Sequence, residues 1–297
     1  MSNVGTGAVY DRGYRPYEGD RGLRGASTYA LYKASIRRAL GIRRSWRQKF
    51  APLVLLAIVT IPAVVNVGIG YVTRDRGIDR FEIITYREYV GVSSALLLFV
   101  ALVAPDVMCP DRRQRVLPLM FARPLTGIDY VVAKVGAITS ILFAFSFLPQ
   151  VVLFVGNMLV SDSAAHYFTG HLDVLWKVPV AVFLLAIYYA VIGVAIASMT
   201  DRRIVAGAAV IGLFLVTSIS SAAIVGDFRP GHGSAAGVIN VLAVPLYLRD
   251  LVFLRHVDPD TPLTGVAHAG WLALGTYLAV LLLGIGVLLQ RYRWVER

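Results

Sequence analysis

Histidine and cysteine are the side chains of this sequence best suited to metal binding or to nucleophilic chemistry. The sequence has one cysteine, Cys109, and its five histidines are His166, His171, His232, His256 and His268. His166 and His171 are five residues apart, and the next histidines along the chain could approach them. No pair has the tight ligand spacing of a zinc or iron site, however. We therefore interpret the histidines as ordinary loop residues and predict no metal site.

The sequence lacks the usual residues of nucleotide hydrolysis and of ion-coupled transport, although sodium coordinated by backbone oxygens remains an alternative. None of its lysines, Lys33, Lys49, Lys134 and Lys177, lies in a G-x-x-x-x-G-K-[ST] phosphate loop. The long apolar segments have no ionisable residue near their middles, which argues against a proton- or sodium-driven carrier. It also argues against an intramembrane hydrolase or acyltransferase, because the nucleophile of such an enzyme needs a neighbouring His or carboxylate. We predict no catalytic or cofactor site in this chain.

The long apolar segments that connect and position these residues are predicted to be membrane helices. Of the 297 residues 57% are apolar and only 16% are charged, whereas soluble domains carry about 25% charged residues. A crossing of about 30 Å needs about 20 apolar residues. Six segments satisfy this requirement: Phe50–Val72, Tyr89–Met108, Val131–Val160, Val178–Met199, Ile204–Val225 and Gly270–Gln290.

A further apolar stretch, 235–254, is predicted not to be a span. Pro245 interrupts it, and the pair Arg249–Asp250 lies near its end. An unpaired charge at that depth costs about 3 kcal/mol. We predict two short helices that enter the membrane and return, a broken re-entrant helix. The fold class is thus an all-α polytopic membrane protein with a tail at 1–49, a six-span domain at 50–290 and a basic tail at 291–297.

The orientation follows from the basic residues that flank the spans. With six spans and the N-terminus inside, 21 of the 29 Lys and Arg residues face the cytoplasm. The positive-inside rule then predicts that both termini are cytoplasmic in a multi-pass protein of the plasma membrane. The net charge of +11 is accounted for in this way, so it does not indicate nucleic-acid binding.

The segment from Ser27 to Phe50 has the pattern of an amphipathic helix. Basic residues alternate with an apolar and aromatic side formed by Tyr29, Tyr32, Ile36, Leu40, Trp46 and Phe50. Such a helix lies in the membrane interface and binds anionic lipid headgroups. The alternative is a plain basic cytosolic tail.

The loop between the second and third spans carries a compact apolar patch that is bordered by arginines. Pro118 can begin a short helix there, and Pro124 can end it. The patch consists of Leu117, Leu119, Met120 and Phe121. An apolar cluster with a charged rim on a cytosolic loop indicates a docking site for another protein. The alternative is a helix that lies on the membrane surface.

This loop, from Asp111 to Lys134, resembles the coupling segment of type-2 ABC transporter permeases. The layout of the whole chain is similar as well, with an amphipathic helix before the first span and a broken helix between the last two. The resemblance implies that residues 111–126 insert into a groove of a separate ATPase. The implied ATPase-coupling positions are Arg115, Leu117, Leu119, Met120, Phe121 and Arg123.

The resemblance also implies a function and a set of partners. The chain would be the permease subunit of an ATP-driven exporter, with two separate ATPase subunits that bind ATP and Mg²⁺. A second copy or a sister permease would complete the substrate path, and lipids would surround it. The alternatives from another class are a membrane-embedded enzyme and a non-transport membrane scaffold.

The fifth span is rich in small residues, which allow close helix packing in lipid. The resemblance suggests that this span faces the partner permease or the substrate path. Packing within one subunit is the alternative. The candidate positions are Gly207, Gly212, Ser218 and Ser221.

Overall fold

The computed structural model describes residues 24–41, 46–75, 85–90, 93–121, 125–226 and 233–295. Within these ranges the chain is helical and contains no β-strand. Its helices are α1 (Arg24–Ala39), α2 (Trp46–Asp75), α3 (Tyr86–Val90), α4 (Ser93–Arg113), α5 (Leu117–Phe121), α6 (Gly127–Val160), α7 (Ala164–Gly170), α8 (Val174–Ala197), α9 (Arg203–Val225), a 3₁₀ segment (Ala235–Ile239), α10 (Val244–Leu254) and α11 (Ala269–Val295).

Six helical stretches of the described chain are long and apolar enough to cross a membrane. They are formed by α2, by α3 with α4, and by α6, α8, α9 and α11, and each overlaps one predicted span. The prediction of an all-α fold with six helical stretches of membrane length is therefore confirmed for the described residues. Several helices begin before the predicted bounds because their first turns contain polar residues. In α6, for example, Thr126 and Asp129 form a capping box before the apolar run begins.

Helix α8 and its neighbour α4 form the centre of the bundle. In the most apolar stretch of α8 72% of the residues are buried, and in that of the span formed by α3 with α4 73%, against 17% in α2, α9 and α11. Glycines allow its neighbours to approach closely: a Cβ atom added to Gly193 would lie 2.4 Å from Cγ1 of Val100 on α4. Gly284 of α11 meets Val191 of α8 in the same way, at 2.5 Å. Small residues at such contacts favour helix association in lipid, and the outer helices keep broad apolar surfaces exposed.

Successive spans run in opposite directions, so the connecting segments collect at two ends of the bundle. We call these the α5 end, which also includes residues 198–203, and the α10 end, which also includes α3 and α7. At the α5 end, Arg112 Nε lies 3.0 Å from a carboxylate oxygen of Asp201. At the α10 end, Arg87 forms an ion pair with Asp258. These contacts join segments that are far apart in sequence.

The stretch 235–254 forms the 3₁₀ segment and α10 instead of one spanning helix. The eleven residues of α10 are well short of the roughly 20 that a crossing needs. Ser221 of α9 donates a hydrogen bond to the Ala236 carbonyl (3.1 Å), and the Tyr189 hydroxyl of α8 donates one to the Leu242 carbonyl (2.8 Å). Both short elements are thus fixed to the spans.

The predicted amphipathic helix from Ser27 to Phe50 is interrupted. Helix α1 ends at Ala39, and Gly41 follows with a φ of 63°, a left-handed conformation that glycine adopts readily at helix ends. Helix α2 begins at Trp46. Residues 42–45, and the side chains of 46–52, lie outside the description, so α1 carries the part of the amphipathic pattern that can be located.

Candidate functional site

A buried carboxylate lies at the base of the predicted docking loop. Asp111, in the last turn of α4, is fully buried, and its Oδ2 atom is 2.5 Å from Lys134 Nζ. The same oxygen accepts a hydrogen bond from the Tyr130 hydroxyl (3.1 Å), while Oδ1 pairs with the Arg38 guanidinium of α1. Lys134 Nζ also donates to the Val107 carbonyl (3.1 Å). One carboxylate therefore joins α1, α4 and α6, and its charge is compensated, as burial requires.

Aromatic contacts extend this cluster to two more helices. The fully buried ring of Tyr130 lies 4.7 Å from the ring of Tyr292 on α11, centroid to centroid. On another side it makes an edge contact with Phe121 of α5 at 6.0 Å. Rings at these distances attract each other beyond their apolar burial. We call Asp111, Lys134, Arg38, Tyr130 and Tyr292 the Asp111 cluster.

Sequence analysis did not single out the Asp111 cluster. A signal was present, because Asp111 and Lys134 carry opposite charges near the facing ends of consecutive spans. Spans joined by a short loop pack antiparallel and bring such positions together. Arg38 and Tyr292 have no comparable signal, since 73 residues separate Arg38 from Asp111 and only the packing of α1 and α11 makes them neighbours.

A second set of contacts fixes α4 to the turn between α8 and α9. Arg112 donates a hydrogen bond to the Ser198 carbonyl and pairs with Asp201. Arg203, at the start of α9, pairs with Asp106 of α4 at 2.7 Å. These charges are partly exposed, and pairs of that kind contribute only about 0–1 kcal/mol each. They serve to orient the end of α4 relative to α8 and α9.

The loop between α4 and α6 has a defined backbone at both ends. Arg115 adopts a φ of 52°, and the Val116 N–H donates to the Asp111 carbonyl (3.2 Å), which closes the end of α4. At the other end, the Asp129 carboxylate accepts hydrogen bonds from the Thr126 N–H (3.0 Å) and hydroxyl (2.8 Å). The loop is therefore held between two well-terminated helices.

The predicted coupling residues divide between inward and outward positions. Leu117 is buried, and Met120 and Phe121 are half-buried against the core of their own chain. The side chain of Leu119 and all of Arg123 lie outside the described residues. The exposed surface of the described loop, which we call the α5 rim, consists of Arg113, Gln114, Arg115 and Pro118.

The predicted pairing residues of the fifth span also divide. A Cβ atom on Gly207 would lie 2.8 Å from the Ala101 carbonyl oxygen, so α9 touches α4 there. Ser218 donates a hydrogen bond to Oδ1 of Asn240 (2.8 Å), and Ser221 bonds the 3₁₀ segment. A Cβ on Gly212 would meet nothing within 4 Å. Three of the four positions thus make contacts within the chain, and Gly212 lies beside open space.

The α10 end holds a second charge cluster. Fully buried Asp250 pairs with Arg249 at 2.6 Å and lies 3.9 Å from Arg87. Asp250 is therefore not an unpaired charge, although its Oδ2 atom has no hydrogen-bond partner among the described residues. The Asp260 N–H, and then the Arg87 guanidinium, hold the pKa of Asp258 below its ordinary value. The cluster joins α3, α10 and the segment that precedes α11.

Among the described residues no group of three His, Cys, Asp or Glu side chains is placed to hold a metal ion. Comparison with protein-family models, curated proteins and solved structures gave no match for this chain. A helical membrane fold by itself does not specify a function. The geometry of the α5 loop and the sequence pattern are the features of this chain that bear on function.

Proposed function

We propose that this chain is the membrane-spanning permease subunit of an ATP-driven ABC exporter. It pairs with a second copy of itself or with a sister permease, and substrate moves along a path between the two. Two separate ATPase subunits bind ATP and Mg²⁺ and contact residues 111–126. The α5 end and both termini face the cytoplasm of a plasma membrane, which the excess of basic residues on that side supports.

The observation that carries this proposal is the way the loop is built into the bundle. Helix α5 begins at Leu117, shortly after Asp111 in the last turn of α4. Asp111 is bonded to α1 and α6, and Phe121 packs on Tyr130. Tyr130 in turn contacts α11. Close-packed interiors transmit displacement because they have low compressibility. A push on α5 by a partner would therefore move four other helices, α1, α4, α6 and α11, which is the property that a coupling element needs.

The contacts favour two separate roles within the loop, packing on the bundle and contact with the ATPase. Leu117 and Phe121 hold α5 on the bundle, while the α5 rim, together with Leu119 and Arg123, contacts the ATPase. Arginine is common in protein interfaces because its guanidinium makes several directed hydrogen bonds. In this proposal the buried side chains transmit the movement of the ATPase to the bundle, and the exposed arginines determine which ATPase binds.

Three other elements have roles in the same proposal. Helix α1 lies at the cytoplasmic interface, and the 3₁₀ segment with α10 enters the outer leaflet and returns. The outward face of α9 around Gly212 meets the second permease. Apolar side chains on this face are exposed, including Val216 at 63% and Ile219 at 67%. Their exposure supports the inference that lipid or protein covers this face.

The test is whether the α5 rim retains an ATPase. We expect the full-length protein, purified from its native membranes, to carry a chain with a G-x-x-x-x-G-K-[ST] loop and an ABC signature, and to hydrolyse MgATP. The double variant Arg113→Glu, Arg115→Glu should lose most of that chain and its ATPase activity. Reversal of two rim charges replaces attraction with repulsion, and the loss should be larger at low salt.

The control variant is Arg293→Glu, which changes an exposed arginine of α11 at the same end. It should retain the ATPase. Thermal unfolding of each purified permease checks that the rim variant is folded. A well-folded rim variant that keeps full ATPase activity would remove the loop from the mechanism, and a wild-type protein without any ATPase would favour an enzyme or a scaffold.

A further inference from the structure

An apolar groove of about 430 Å³ lies between α1, α2, α4 and α6. Its volume is within the usual range for ligand pockets, roughly 300–1,000 Å³. The stacked rings of Phe99 and Phe145, 4.1 Å apart, form part of its inner wall. Leu53 and Leu148 on its margin are 53% and 51% exposed, so the groove is open at the surface of the bundle.

The groove has the depth of one membrane leaflet. Leu53 lies near the start of the apolar run of α2, which follows Lys49, whereas Phe99 lies near the middle of its span. The groove therefore runs from one edge of the apolar band to about its centre, half of a hydrocarbon core of about 30 Å. Among the described residues that line the groove, Ser140 alone has a polar side chain, and its hydroxyl is hydrogen-bonded to the Tyr32 hydroxyl at 2.9 Å. Such a lining suits a hydrocarbon chain.

A basic rim stands at the mouth of this groove. Ile36 and Leu40 of α1 line the groove, and exposed Lys33 and Arg37 lie on the same side of that helix. At 3.6 residues per turn, these four positions fall within an arc of about 100°. Among the described residues, neither cation has an acidic partner within ion-pair distance. The neighbouring Arg38, in contrast, is bonded to Asp111.

We propose that this groove is a binding site for one anionic phospholipid. An acyl chain occupies the groove between Phe99, Phe145 and Leu148, and the phosphate is bound by Lys33 and Arg37. The location inside the apolar band selects a lipid, and the two exposed cations select a negative headgroup. This site is independent of the proposed transport function, because it requires only that the protein spans a membrane.

The test uses the full-length protein in bilayer discs of mixed phosphatidylglycerol and phosphatidylcholine, followed by native mass spectrometry of the retained lipid. Wild type should keep one phosphatidylglycerol in several-fold preference to phosphatidylcholine. Ala144→Phe places a ring in the groove and should lose the bound lipid several-fold. The matched control is Ala279→Phe, at an exposed position of α11, which should keep it. Leu148→Gln, at a half-exposed wall position, gives a second groove variant if Ala144→Phe does not fold.

The headgroup is tested separately. Lys33→Gln with Arg37→Gln should still hold a lipid but lose the preference for phosphatidylglycerol, whereas Arg293→Gln should not change it. Equal retention of both lipids by wild type would overturn the proposed headgroup contact. Full retention by the folded groove variants would overturn the groove. Release of the lipid by inorganic phosphate would show that the two cations bind a free anion instead.

Discussion

Asp111 and Lys134 illustrate how much of the energy of a buried ion pair depends on both partners. Their side chains are 0% and 1% exposed. Each charge has therefore lost its hydration and requires the opposite charge for compensation. Removal of one partner from a buried pair typically costs about 3–5 kcal/mol, whereas replacement of both by apolar residues is often tolerated. Arg38 is 28% exposed and can turn toward water when the carboxylate is absent.

The different costs of removing one partner and of replacing both give a test at the scale of residues. Lys134→Met should lower the melting temperature of the purified protein by several degrees, because Asp111 loses its buried cationic partner. The double variant Lys134→Met, Asp111→Leu should recover part of the loss, although Tyr130 then lacks its acceptor. Thermal unfolding in detergent measures both.

A pair on the surface serves as the control for that test. Lys177 and Asp173 lie 2.8 Å apart on one turn of helix, and the Asp173 side chain is 52% exposed. Lys177→Met should change the melting temperature little, since exposed pairs contribute about 0–1 kcal/mol. Equal losses in the single and double variants of the buried pair would show that Asp111 does not depend on Lys134.

At the scale of elements, α9 shows why a pattern of small residues is ambiguous. Glycine permits close approach both within a subunit and between subunits, and the sequence does not distinguish the two. In the structure Gly207 meets the backbone of α4, while Gly212 has open space beside it. The two glycines therefore form a matched pair on one helix.

Substitution of each glycine by leucine separates packing from pairing. Gly207→Leu should lower the melting temperature, because a backbone oxygen at 2.8 Å cannot move aside as a side chain can, and overpacking costs about 1–3 kcal/mol. Gly212→Leu should unfold at the wild-type temperature but weaken self-association. Light scattering and crosslinking report the oligomer. A dimer unaffected by Gly212→Leu would exclude this face of α9 from pairing.

At the scale of the whole molecule, the distribution of basic residues predicts which end of the bundle faces the cytoplasm. Most of the basic residues fall on the side that holds the α5 loop, and six crossings place α7 and the 3₁₀ segment on the other side. Ser163 and Ser234 cap these two elements, so both are expected to be extracellular. Ser27, in α1, is expected to be cytoplasmic.

Labelling of single cysteines with an impermeant reagent in intact cells tests this orientation. Ser163→Cys and Ser234→Cys should react, and Ser27→Cys should react only after the cells are opened. The native Cys109 is 1% exposed and should contribute little background. Reaction of Ser27→Cys in intact cells would reverse the orientation and remove the cytoplasmic ATPase from the proposal.

The number, order and approximate limits of the spans were determined by the sequence itself. Each span is a run of about 20 apolar residues, and this property is local because lipid requires every crossing helix to satisfy its own backbone and to expose apolar side chains. The interruption of 235–254 was predictable for the same reason. Pro245 and the charged pair Arg249–Asp250 are visible without knowledge of their neighbours.

The contacts that define the candidate sites were decided only by the tertiary structure. Arg38 and Asp111 are brought together by the packing of α1 on α4 and α6. Phe121 lies inward because its ring packs against the ring of Tyr130. The apolar groove likewise forms only where α1, α2, α4 and α6 come together. Lipid-facing and buried positions in a span are equally apolar, so hydropathy carries little information about which side of a helix is covered. That choice depends on how the helices fit together.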